Sequence, residues 1–188
     1  WTSAFRLAPP SAPPFTRMSV SAFGDYLRCP FRFYLKHALH MASLDDRAFE
    51  LDPADFGSLC HAVLKAFYDN EQLRDSTDSR RIAAFLKETV ERLAAERFCQ
   101  SRSAAVAFQL ATLTQRLEAF ADKQAEHRAA GWRIIHAELS FGGDKQHGFH
   151  IGNMPIRGRI DRIDRDERTG AHLLLDYKTS DSSEQPAD

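Results

Sequence analysis

Residues 158–180 have the sequence GRIDRIDRDERTGAHLLLDYKTS, and this stretch decides the fold. It belongs to two short β-type runs, residues 156–164 and 172–178, that lie on either side of turn residues 166–170. A short turn makes such strands antiparallel neighbours. Asp161, in the middle of the first strand, is therefore expected to lie beside the end of the second.

The segments on the N-terminal side change from strand-like to helical. Residues 132–141 and 148–153 are predicted to be two further strands. The helical predictions are a helix capped by Ser19 or Ser21 that ends at Arg28 before Cys29-Pro30, then residues 31–39, 57–70, 80–98 and 104–130, with Gly131 as the stop. Helices followed by a run of strands predict an α+β domain.

Composition limits the class of protein. The chain has 188 residues and a net charge of −1, so no global positive field indicates nucleic acid. Its three cysteines include no CxxC pair, which disfavours a secreted disulfide framework. We expect no membrane span, because no apolar run approaches about 18 residues, and a cytoplasmic location as the default.

Proline and polar residues mark the ends of the folded region. Four prolines fall in the first fourteen residues, which predicts a linker over residues 1–17. The domain is expected over residues 18–180, followed by a polar tail at 181–188. Because the chain begins with Trp1, a piece of a larger protein is expected.

The chemistry of the deciding stretch lies in Asp161, Asp176 and Lys178. On a strand, Asp176 and Lys178 share a face and Tyr177 points away. The apolar run 173–175 predicts a strand buried on both faces, where an acid and a lysine are costly unless they act together. Two carboxylates form a site suited to Mg²⁺ or Mn²⁺. A cross-strand ion pair of Lys178 with either aspartate is the alternative.

Four short sequences, in order, resemble the PD-(D/E)xK nuclease superfamily, specifically the RecB/AddB-type nuclease domain. They are YLRCPFRFYL at 26–35, FGSLCH at 56–61, GRID at 158–161 and LDYKTS at 175–180. The resemblance implies a central mixed β-sheet flanked by helices, a restriction-endonuclease-like nuclease core with an N-terminal helical part. It also implies a domain truncated at its C-terminus, because the family continues beyond the D-x-K strand.

The resemblance also assigns roles to individual residues. Lys178 would be the catalytic lysine, acting with Asp161 and Asp176, and Glu138 would be an additional acid. The implied ligands of Mg²⁺ or Mn²⁺ are His61, Asp161, Asp176 and the backbone carbonyl of Tyr177.

Two further features come from the N-terminal part. In some relatives the cysteine at the position of Cys29 is the first of four that hold a [4Fe–4S] cluster; here this applies only to a longer parent chain. Arg28, Arg32 and Lys36, interleaved with aromatic residues, are candidate contacts to the DNA backbone, with a solvated basic face as the alternative.

The implied function is a divalent-metal-dependent deoxyribonuclease domain of a DNA-repair helicase–nuclease. Its partners would be single-stranded DNA or duplex ends and a helicase domain or partner subunit, and the isolated fragment would be weakly active. Two alternatives remain: a catalytically silent DNA-binding or scaffolding module of the same fold, and a structural ion-pair cluster in an unrelated protein.

Overall fold

The computed structural model describes residues 15–41, 50–98, 103–142 and 149–179. The helices within these ranges are α1 Val20–Arg28, α2 Pro30–Phe33, α3 Pro53–Asp69, α4 Glu71–Arg74, α5 Ser79–Phe98 and α6 Ala104–Ala129, with a π-helical turn at Tyr34–Ala38 after α2. The strands are β1 Met18–Ser19, β2 Trp132–Phe141, β3 Phe149–Ile151, β4 Met154–Asp166 and β5 His172–Leu175. The α+β class expected from the sequence is therefore confirmed.

Strand β4 organises a mixed sheet, which has five strands in the described ranges. β1 pairs with β4 in parallel, and β3 and β5 pair with it antiparallel. β2 is also a neighbour of β4. The central mixed sheet with helices predicted from the resemblance is confirmed.

The chain divides into two compact units. The first comprises Trp1–Leu44 and Ser140–Arg159, and the second comprises Asp45–Leu139 and Ile160–Asp188. The candidate site described below lies within the second unit.

In the second unit, α5 packs against both α3 and α6. The core is apolar and includes Leu59, Phe67, Ile82, Leu86 and Leu113, each at most 1% exposed. Each such side chain contributes about 1.5–3 kcal/mol by leaving water. This packing holds α3 in place beneath the residues that it presents to β2 and β4.

In the first unit, α1 and α2 are separated at the predicted break. The Ser19 hydroxyl accepts the Ala22 N–H at 3.1 Å, so Ser19 rather than Ser21 caps α1. Cys29 is extended, with φ −162° and ψ 103°, and Pro30 then begins α2. Phe33 is buried and forms an edge-on contact with Tyr26 at a centroid distance of 5.5 Å.

The C-terminal end of β5 corrects the sequence prediction. A strand over residues 172–178 is wrong, because β5 ends at Leu175. The Tyr177 N–H donates to Asp161 Oδ2 at 2.8 Å instead of continuing the backbone ladder. Burial of residues 173–175 on both faces is also wrong, since Leu174 is 63% exposed and Leu173 is 36% exposed.

The start of α3 is a second correction. The helix predicted at residues 57–70 begins at Pro53, because the Asp52 carboxylate accepts the Asp55 N–H at 2.7 Å and proline occupies the first turn. His61 therefore lies in the middle of α3 rather than at its opening. The predicted linker up to residue 14 and the tail at 181–188 lie outside the described residues.

Candidate metal centre

Three residues from three separate elements converge in the second unit. α3 carries His61, β2 carries Glu138 and β4 carries Asp161. One nitrogen or oxygen ligand atom from each lies within 4.8 Å of the other two. The sequence separates these residues by as much as a hundred positions, so the packing of α3 on the sheet creates the group.

His61 is the centre of this group. Its Nδ1 lies 2.8 Å from Glu138 Oε1 and 3.9 Å from Asp161 Oδ1. The three side chains are 22%, 13% and 11% exposed respectively. The group is thus partly buried and still reachable from solvent.

Glu138 has an unusual backbone. Its φ is 54°, in the left-handed region that residues other than glycine rarely adopt. Such conformations cost on the order of 1–3 kcal/mol and persist where the surroundings enforce them. The strain accompanies the turn of the Glu138 carboxylate towards His61, and the sequence pattern of a regular strand contains no sign of it.

Asp161 is oriented by the segment that follows β5. The Tyr177 N–H binds Asp161 Oδ2, while Asp161 Oδ1 faces His61. The Tyr177 ring stands edge-on to the His61 ring at 6.0 Å and to the Phe120 ring at 6.3 Å. Burial raises the pKa of the Tyr177 hydroxyl, so this side chain is neutral at physiological pH. The prediction that the Tyr177 carbonyl binds metal stays a prediction.

Asp176 and Lys178 form an ion pair beside this group. Their Oδ2 and Nζ atoms are 2.6 Å apart, and the side chains are 65% and 61% exposed. The hydrogen bond from Asp176, helped by the charge of Asp161, raises the pKa of Lys178, so the amine is an ammonium. Within the part of the chain that the structure describes, Asp176 is not in the three-residue group.

A buried polar network supports the same region and was missed by the sequence analysis. Arg162 Nε and Nη2 donate to the two oxygens of Asp164 at 2.7 and 2.6 Å, and these side chains are only 3% and 0% exposed. His127 Nε2 lies 2.7 Å from Asp164 Oδ2. Arg162 Nη1 also donates a long hydrogen bond of 3.4 Å to the Tyr177 hydroxyl. The one signal in the sequence was alternation: residues 162 and 164 share the strand face opposite Asp161.

The donor set of the three-residue group suits a hard divalent cation. Two carboxylates and one imidazole supply oxygen and nitrogen ligands and no sulfur. Oxygen ligands favour Mg²⁺ and Mn²⁺, and an imidazole is also a ligand of first-row transition metals. The residues present therefore fit the ion that the sequence analysis expects.

The other predicted residues lie in the first unit. Arg28 ends α1, whereas Arg32 and Lys36 follow the extended Cys29, so the three do not share one continuous helix. Lys36 Nζ donates to Asp25 Oδ2 at 2.9 Å. Cys29 is exposed.

No helix within the described ranges combines the length and the apolar character that crossing a membrane requires.

Comparison with known proteins adds a family to this geometry. Residues 17–188 match the family model of the PD-(D/E)XK nuclease superfamily. The chain is similar to one subunit of the ATP-dependent helicase/deoxyribonuclease of Moorella thermoacetica and of Bacillus subtilis, each 32% identical over 180 residues. It is also similar to the protein of that name from Lacticaseibacillus casei, 30% identical over 186 residues. Each match covers 87% of this chain and 15% of the relative, so the chain spans about 15% of the length of these relatives.

Proposed function

Because the chain belongs to the PD-(D/E)XK nuclease superfamily, we propose that it is a divalent-metal-dependent deoxyribonuclease domain of a larger helicase–nuclease. The observation that carries this proposal is the convergence of His61, Glu138 and Asp161 within 4.8 Å, next to Asp176 and Lys178. The name of these relatives includes helicase and deoxyribonuclease, which supports a DNA substrate and a helicase domain or partner subunit. A DNA substrate also favours a cytoplasmic location.

His61, Glu138 and Asp161 would hold the ion, with Asp176 as a further ligand. A bound Mg²⁺ or Mn²⁺ polarises a phosphoryl oxygen and lowers the pKa of water. The Tyr177 N–H fixes one oxygen of Asp161 and leaves the other directed at His61. Asp161 is therefore held in place before any substrate arrives.

Lys178 acts as a cation in this proposal. Its raised pKa keeps the amine protonated at neutral pH, so it does not serve as a general base. An ammonium group stabilises negative charge that develops on a phosphoryl group during cleavage. Asp176, at 2.6 Å, orients this ammonium.

The first unit would contribute to DNA binding rather than to chemistry. Arg28, Arg32 and Lys36 are proposed to contact DNA phosphates, although Asp25 offsets part of the charge of Lys36. Cys29, being exposed, would take part in a [4Fe–4S] cluster only with cysteines of a longer chain.

The test is a titration with Mn²⁺ that follows both thermal melting and cleavage of labelled single-stranded DNA. An ion at 100 times its Kd stabilises the folded state by about 2.7 kcal/mol. For a chain of this size, that raises Tm by about 5–11 °C. Asp161→Asn should remove both the stabilisation and the cleavage. Lys178→Met should remove cleavage and keep most of the stabilisation.

Lys123→Met is the matched control, because Lys123 is a 78% exposed lysine in an ion pair with Glu126. It should behave as the unsubstituted chain does. Stabilisation by Mn²⁺ without cleavage would favour the silent module, and the absence of stabilisation would favour a structural ion-pair cluster.

A further inference from the structure

One face of α3 leads away from the candidate metal centre. His61, Lys65 and Tyr68 are spaced four and three residues apart, so they lie along the same side of the helix. Lys65 Nζ lies 5.2 Å from the centre of the Tyr68 ring. The Tyr68 hydroxyl donates to the Ile135 carbonyl at 2.9 Å, which ties this face to β2. Lys65 also pairs with Asp69 at the exposed side.

An open cavity lies beyond Tyr68, within the same unit. The guanidinium of Arg74 is 5.3 Å from the Tyr68 ring centre, on the way from the metal centre to this cavity. The cavity measures about 500 Å³. Its lining residues are Arg74, Arg133, Ile134, Ile135, Arg165 and Glu167.

The carboxylates around the cavity are shared among several arginines. Asp75 Oδ2 is 3.0 Å from Arg133 Nη2 and 3.7 Å from Arg74 Nη2. Asp75 Oδ1 is 3.8 Å from Arg128 Nε. Glu167 is 2.9 Å from Arg128 Nη1 and 4.0 Å from Arg133 Nη1. Only the contacts of 3.0 and 2.9 Å are short enough to be hydrogen bonds of normal length.

Arg165 adds a fourth guanidinium to the lining. Among the described residues of this network, four guanidinium groups therefore face two carboxylates. Arg133 keeps 45% of its side chain exposed, so its remaining donors are accessible. Guanidinium forks match the oxygens of a phosphate and are weakly hydrated, which makes such a cavity suitable for a phosphodiester group.

The spacing suits one strand that reaches both places. Five residues of β2 separate Arg133 from Glu138, which corresponds to about 16 Å at roughly 3.3 Å per strand residue. A stacked nucleic-acid strand advances about 3.4 Å per nucleotide, so about five nucleotides bridge this distance. Between the two ends, Lys65 offers a charge and Tyr68 an aromatic side chain.

We propose that the Arg74–Arg133–Arg165 cavity is a second phosphate-binding site for the DNA strand that is cleaved at the metal centre. This inference rests on the proposed nuclease function and extends it to a substrate length. Strands long enough to reach the cavity bind at both places, whereas a trinucleotide reaches only the metal centre.

The test compares Arg133→Gln/Arg165→Gln with a control, Arg92→Gln/Lys123→Gln, that removes two exposed charges on α5 and α6. Binding of a twelve-nucleotide single strand is measured in EDTA by fluorescence anisotropy over a range of salt. Each phosphate contact contributes about 0.7 to the slope of log K against log salt for single strands. The cavity variant should lower that slope by about 1.4 and the affinity about 25-fold at 0.1 M salt.

Cleavage in Mn²⁺ supplies the second measurement. The cavity variant should cleave a trinucleotide with unchanged kcat/KM and a twelve-nucleotide strand with a raised KM. If its binding slope and affinity equal those of the control, the inference is wrong. Binding of inorganic phosphate at this cavity with no effect of the substitutions on the long strand would also overturn it.

The two proposals fail in different ways. If the unsubstituted chain does not cleave DNA but the cavity variant loses strand affinity in EDTA, the nuclease function fails and the second site stands. If the unsubstituted chain cleaves DNA and the variant matches the control, only the second site fails.

Discussion

Replacing Arg162 with methionine tests how the candidate site is held. Arg162 is 3% exposed and donates to both oxygens of Asp164, which is fully buried. Methionine keeps much of the aliphatic stem and removes the guanidinium. Asp164 would then retain only His127, whose Nε2 lies 2.7 Å from its carboxylate.

The magnitude follows from the unpaired charge. Breaking a buried ion pair by removing one partner costs about 3–5 kcal/mol. Because His127 still contacts Asp164, we expect the lower end, about 3 kcal/mol. At about 2–4 °C per kcal/mol for a chain of this size, Tm should fall by about 6–12 °C.

The assay is urea denaturation of Arg162→Met beside Arg92→Met. Arg92 and Glu96 form an exposed i,i+4 pair, 54% and 56% exposed, so removing it should cost no more than about 0.5 kcal/mol. The double variant Arg162→Met/Asp164→Leu removes both charges and should recover much of the loss. A cost for Arg162→Met within about 1 kcal/mol of that for Arg92→Met would refute the reasoning.

Three further outcomes are expected. Glu138→Gly should be about 1 kcal/mol more stable than Glu138→Ala, since glycine adopts φ 54° without strain, and both should lose Mn²⁺-induced stabilisation in a melting assay. At pH 8, iodoacetamide should modify exposed Cys29 and spare Cys60, whose thiol pKa is raised to about 11 by burial; peptide mass spectrometry measures both. Hydrogen bonds from His37 and then Lys36 lower the pKa of Asp25 from 3.8 to about 2, so its stabilising contribution should be complete above pH 3.8 and lost as pH falls through 2, a dependence that Asp25→Asn should abolish in an acid titration followed by circular dichroism.

Much of the fold could be predicted because its signals are local. The Ser19 cap, the break at Cys29 and the stop at Gly131, which has φ 98°, each depend on a few neighbouring residues. The turn at residues 166–170 is likewise local, and Gly170 N–H donates to Asp166 O at 2.8 Å there. Burial of Leu174 was predicted wrongly, because an apolar run does not reveal which faces the rest of the chain covers.

The candidate site could be predicted only in part. The resemblance supplied His61, Asp161, Asp176 and Lys178 as residue types at matched positions, and their roles stay predictions. The distance of 2.8 Å between His61 and Glu138 depends on how α3 packs on β2 and on the strained backbone of Glu138. Neither is encoded by spacing along the chain.

Tyr177 explains why the stretch from residue 158 onwards combines chemistry with structure. Its N–H holds Asp161 in the group with His61, and its hydroxyl accepts from Arg162. Asp161 and Arg162 are adjacent on β4 and therefore project to opposite faces, one towards the candidate metal centre and one into the interior. A strand that continued through Tyr177 would direct this N–H into the ladder and leave Asp161 without its donor. The early end of β5 is therefore the feature that couples the buried Arg162–Asp164 pair to the orientation of Asp161.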